Sequence, residues 1–178
     1  MKIYVLDQDY SYQSIAPIKE QLFDQLEQLG KSLIKNWESI ELKVPESKKE
    51  FPRSDFPNLL KYVPVFSQKA KECFYGLLRP LGEFLTVTIE NEDYFAYNLT
   101  NIIDGLDEEQ SEVKRFVSSG RIMRIVKHEF VPEKVKEQIM FKIPQDPGSI
   151  YVSDLFVEKY NQHELVGLKF REIWNKNA

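Results

Sequence analysis

Asn98-Leu-Thr-Asn-Ile-Ile-Asp-Gly-Leu-Asp-Glu-Glu-Gln-Ser-Glu112 separates two β-rich parts of the chain. Before it, residues 84–89 and 94–99 read as strands joined by the polar turn Glu90-Asn-Glu-Asp93, which predicts a hairpin. After it, residues 113–117 read as a strand, Ser118-Ser-Gly-Arg121 as a turn, and 122–130 as the longest strand of the chain. That strand carries apolar residues on both faces early and charge later, so one end should be buried and the other wet. The quoted stretch contains the turn dipeptide Asp104-Gly105 and a compact acidic run. It reads as the connection between two β-units, and as the first place to look for a specific role.

Outward from this junction, the elements do not alternate regularly. Residues 2–6 read as a short buried strand with Ile3 and Val5 facing one way. Pro17 predicts a helix start, because its missing N–H costs nothing at the first helical position. Ile18, Leu22, Leu26 and Leu29 form its apolar stripe, and Gly30 ends it. Ile40, Leu42 and Val44 alternate with polar residues up to Pro45, a half-buried strand. Residues 46–50 form a charged linker. Phe51-Pro-Arg-Ser-Asp-Phe-Pro57 is turn chemistry with two aromatic anchors. Ser67 caps a helix with the stripe Ala70, Phe74, Leu77, Leu78 and Leu81, ended by Pro80 and Gly82.

Residues 132–138 read as a loop or a single helical turn, and 139–143 as a strand. A Pro/Gly turn follows at 144–149. Residues 150–152 extend briefly before Ser153 caps a last helix containing Leu155, Phe156 and Tyr160. Residues 168–174 form the final strand. This order predicts an α+β fold with a mostly antiparallel sheet and about three helices packed on it. Residues 1–178 read as one domain, with room for two lobes meeting near 98–112.

The charge balance is mild, with 28 acids against 24 bases. That argues against a nucleic-acid binder, which would carry a basic stripe. The single cysteine, Cys73, forms no disulfide within the chain and reads as a small core residue. The apolar run at the N-terminus is too short for a signal peptide or a membrane span, so the expectation is a cytoplasmic protein without a membrane partner.

No catalytic set is visible. His128 and His163 lack partners at metal-ligand spacing and read as surface or interface residues. Gly-x-Ser-x-Gly is absent, and Ser118-Ser119-Gly120 is better read as a turn. Gly30-Lys31-Ser32 mimics the end of a P-loop, but it lacks the upstream glycine and follows a helix instead of preceding one. Asp104, Asp107, Glu108, Glu109 and Glu112 do not match the spacing of an EF-hand loop. Two of these acids could serve a glycosidase only if a cleft held them apart, which spacing cannot show. The plainer reading is a turn or helix start, capped by Asp107, with Glu108 and Glu109 favoured by the helix dipole. An enzyme, or a small-ligand or metal-binding domain using residues 104–112, is the alternative. No cofactor is implied.

An ordered set of motifs resembles a known family. The set is Trp37; Ser54-Asp-Phe-Pro57; Pro64-Val-Phe-Ser67 with Ala70; Leu77-Leu78 leading to Gly82-Glu-Phe-Leu85; Tyr97-Asn-Leu-Thr-Asn101; Asp104-Gly-Leu-Asp107 with Ser111; Phe141-Lys-Ile-Pro144; Tyr151-Val-Ser-Asp154 with Phe156; and Leu165, Gly167-Leu168, Phe170 and Trp174. It resembles immunity family eleven of bacterial polymorphic-toxin systems, from about Trp37 to Trp174. The resemblance implies a cytoplasmic antidote, encoded beside a toxin, that binds the toxin and blocks it without catalysis. It carries over no catalytic residue and no metal.

On this reading Trp37, Ser54, Asp55, Phe56, Pro57, Ser67, Asn98, Asp104, Gly105, Ser111 and Trp174 hold the scaffold. The toxin would meet less patterned surface, including the loops and the N-terminal third. Candidate contacts are Glu90, Glu92 and Asp93 on one turn, and Asp107, Glu108, Glu109 and Glu112 on the central connection, facing a basic toxin surface. A homo-oligomer is left open.

Overall fold

The computed structural model describes residues 1–18 and 31–176. The strands are β1 (Lys2–Gln8), β2 (Ala16–Pro17), β3 (Ile40–Lys43), β4 (Val65–Phe66), β5 (Gly82–Ile89), β6 (Glu92–Leu99), β7 (Glu112–Arg115), β8 (Ile122–Lys127), β9 (Met140–Ile143), β10 (Asp146–Ser153) and β11 (Leu168–Asn175). The α-helices among the described residues are α1 (Gln68–Leu78), α2 (Pro132–Val135) and α3 (Asp154–Gln162). The fold is α+β, but its sheets are not all antiparallel. One sheet, in the order β11-β1-β10-β9, is antiparallel throughout. The second, β2-β3-β5-β6-β4, is mixed, because β3 runs parallel to β5. Strands β7 and β8 form a separate two-stranded ribbon.

The two larger sheets bury apolar residues on both faces. In β1, Leu6 faces one core, while Ile3 and Val5 face another with Phe141, Tyr151 and Trp174. In β6, Phe95, Tyr97 and Leu99 point inward, while Ala96 joins Ile40, Leu42 and Val87 on the far side. The central core lies between the two sheets and takes in α1 and α3, whose Phe74 and Phe156 rings stack 4.3 Å apart. Helix α1 starts as its sequence predicts: the Ser67 hydroxyl accepts from the Ala70 N–H at 3.1 Å. Its buried side chains are Ala70, Phe74 and Leu78, spaced four residues apart. Ser153 precedes α3 but makes no capping hydrogen bond through its side chain.

Several local expectations change. Pro17 is not itself a helical residue; it lies in β2 and pairs with Leu42 at the edge of the mixed sheet. The rest of that predicted helix, residues 19–30, lies outside the described residues. The β5–β6 turn is tighter than the Glu90–Asp93 reading. Only Glu90 and Asn91 form it, both at positive φ (50° and 69°), as a two-residue hairpin turn demands. Strand β8 is six residues, not nine, and its polarity is reversed. Residues 122–127 are exposed or half-buried, whereas His128 and Phe130 beyond them are buried.

Candidate functional site

The junction segment has two different halves. Residues 101–106 are extended, not a turn. Ile102 bridges Lys142 in parallel, the Ile103 N–H donates to the Lys142 carbonyl at 2.9 Å, and Leu106 bridges Phe130. The segment thereby covers the outer edge of β9, which would otherwise expose unpaired backbone groups. Gly105 is needed for close approach: a Cβ there would lie 2.9 Å from Val135 Cγ1. Its carbonyl accepts from the Val131 N–H at 2.9 Å.

The turn comes later. The Asp107 carboxylate accepts from the N–H groups of Glu109 and Gln110, at 3.2 and 3.1 Å. The Ser111 hydroxyl then binds both backbone groups of Glu129, accepting from its N–H at 2.9 Å and donating to its carbonyl at 3.2 Å. Asp107 is therefore the cap that its position predicts.

The acids proposed as contacts are not equally available. Glu108 bridges Arg115 at 2.7 Å and accepts from Gln145 at 2.9 Å. The Arg115 hydrogen bond holds its carboxyl below the usual range, and Gln145 adds to this. Asp104 accepts from Gln145 and lies 3.7 Å from Lys134. Arg53 ties down both Glu92, at 2.9 Å, and Glu90, at 3.4 Å. Glu112 faces Lys127 across the ribbon. Asp93 and Glu109 are exposed and have no ion pair among the described residues. No group of three or more His, Cys, Asp or Glu side chains among the described residues is placed to hold a metal ion.

The remaining motif residues sit at packing joints. Asp55 accepts from the Ser67 hydroxyl and the Val166 N–H, both at 3.1 Å. Phe56 is buried edge-on against Phe66, with Pro57 beside it in the buried loop. Ser54 touches Gly167, whose φ of +113° suits glycine and whose Cβ would lie 2.8 Å from Ser54 Cβ. The Asn98 amide donates to the Lys31 carbonyl at 2.7 Å and to Glu83 at 3.0 Å. Trp37 donates to the Thr86 carbonyl at 2.8 Å, and Trp174 to Glu129 at 2.9 Å.

A family model described as Immunity protein family (Imm11) matches residues 38–175. The chain belongs to that family. No curated protein matches it. Trp37 lies one residue before the matched region, and the segment 19–30 lies wholly outside it. No helix among the described residues is long and apolar enough to cross a membrane.

Two buried polar groups escaped the sequence reading of this immunity-family chain. His128 is buried, contrary to the surface reading. Tyr151 donates to Asp146 at 2.8 Å, so it meets His128 Nε2, 3.3 Å away, as an acceptor. Burial lowers the His128 pKa, which favours the neutral ring. This network borders a cleft of about 520 Å³ between β8 and the antiparallel sheet, lined also by Arg124 and Arg171. Lys142 is 3% exposed, and burial pushes its ammonium down to about 8. The signal in the sequence was Phe141-Lys-Ile143, where a lysine interrupts a strand buried along its whole length.

Proposed function

We propose that this chain is an antidote: it binds a cognate bacterial toxin in the cytoplasm and neutralises it by covering the toxin's working surface, without chemistry of its own. Membership of the immunity family across residues 38–175 carries this reading. The whole chain, as one α+β unit, would serve as a rigid platform. Its three cores fix the sheets while turns and the ribbon are offered to the partner. Of the acids considered as contacts, Asp93 and Glu109 fit best, because neither is held in an ion pair among the described residues. Asp107, Glu108, Glu90 and Glu92 would first have to leave their present partners.

Co-expression with the product of the adjacent gene tests the proposal. The expected result is restored growth of the host and co-elution of the two proteins. Failure of both would overturn the immunity reading.

A further inference from the structure

Residues 112–127 carry charge opposite to the rest of the chain. They hold the cations Lys114, Arg115, Arg121, Arg124 and Lys127 against one acid, Glu112. That is a formal +4 in a chain of total −4, leaving −8 on the other residues. These charges lie on the β7–β8 ribbon, whose strands pair, among the described residues, only with each other. Its outer edges therefore present unpaired backbone groups.

Two arrangements on the ribbon are unfavourable for the protein alone. Lys114 faces Arg124 directly across the strands. Like charges placed opposite each other destabilise a sheet. Among the described residues no carboxylate forms an ion pair with Lys114, Arg124 or Arg121, whereas Arg115 and Lys127 have theirs. In addition, β8 carries an extra residue at each of its two register shifts, Met123 and Val126. Both of these apolar side chains are about half-exposed, as is Phe116, and Val117 is fully exposed. Single exposed apolar residues are ordinary; four on one short ribbon mark a contact surface.

We infer that the β7–β8 ribbon is the arm that docks the toxin, and that it receives a toxin face with carboxylates set around an apolar patch. This rests on the immunity reading above. A carboxylate placed between Lys114 and Arg124 converts a repulsive pair into a bridged one. The four apolar side chains supply the water-free contact that carries affinity. Nucleic acid or an anionic membrane fits less well, because an extended polyanion would also lie against the acidic remainder of the chain. Glu109, just before the ribbon, makes the complementary face mixed: acidic opposite the cations, basic opposite this turn.

The test titrates the full chain against the purified product of the adjacent gene at low and high salt. Lys114→Glu combined with Arg124→Glu is expected to weaken binding about 100-fold and to reduce its salt dependence. Lys114→Glu alone replaces repulsion by attraction within the ribbon, so it should weaken binding while leaving Tm unchanged or higher. Lost binding is then not lost folding. If wild type binds and protects but the double variant binds within threefold of it, the arm is not the docking site and the immunity reading stands. If wild type neither binds nor protects, the immunity reading falls first. Light scattering, a short DNA duplex and phosphatidylserine vesicles complete the test. A self-association, DNA complex or vesicle complex that the double variant abolishes would assign the arm to that occupant and overturn the inference.

Discussion

Phe74 and Phe116 are the same residue in opposite situations. Phe74 is fully buried between two sheets and stacked on Phe156; Phe116 is about half-exposed near the tip of a ribbon. Val65 and Val117 repeat the contrast, at 1% and 106% exposure. The central core spends its apolar residues on holding strands and helices together. The ribbon holds its own against water, where they contribute almost nothing to the isolated fold. Apolar content alone therefore does not separate scaffold from interface; the surroundings of each side chain do.

The sharpest way to break this comparison is to truncate both kinds of residue. Phe74→Ala should cost about 3–5 kcal/mol, since it removes a ring packed on all sides. Denaturant unfolding measures this, and a loss below about 1 kcal/mol would mean that the core collapses around the gap. A second test keeps the core but changes its charge. Lys142→Met should stabilise the protein by about 2 kcal/mol at pH 7, because it removes a buried ammonium that no carboxylate among the described residues pairs with. The sign is checkable. The folded pKa, about 8, is below the unfolded value, roughly 10.4. The penalty is therefore complete below pH 8 and is relieved as pH rises toward the unfolded value. The stability gap between variant and wild type should narrow across that window, and a gap independent of pH would show that the lysine is not buried as a cation. The smallest effect belongs to the ribbon: Val117→Ser should change stability by less than about 0.5 kcal/mol. A larger loss would place the ribbon tip within the scaffold.

Local chemistry was readable wherever neighbours in sequence are also neighbours in space. Ser67 and its helix, and the hairpin of β5 and β6, depend on contacts within a few residues. Family membership was readable too, from motif order. Long-range pairing was not. Alternation in Ile40–Lys43 shows a half-buried strand but says nothing of its parallel neighbour β5, over forty residues away. Asp104-Gly105 carries the composition of a turn, yet its glycine serves close packing against Val135. His128 continues an alternating pattern whose earlier members are wet, so its burial could be seen only once Phe130 and Tyr151 were placed around it. At the candidate surface the acids drew attention because they cluster. Whether each has a partner among the described residues, as Glu108 has in Arg115 and Gln145 and Glu109 has not, depends on where the fold places the ribbon and the turn at Gln145.

Strand β1 lies between β10 and β11, so both of its neighbours in the sheet come from far later in the chain. At ordinary synthesis rates, about 5–20 residues per second, Ile3 and Val5 wait on the order of ten to thirty seconds for Trp174 to leave the ribosome. Before β10 is made β1 has no partner in that sheet, and until β11 follows one of its edges stays open. Any surface that rests on this sheet therefore takes its final form late, after the strands that flank β1 have both been made.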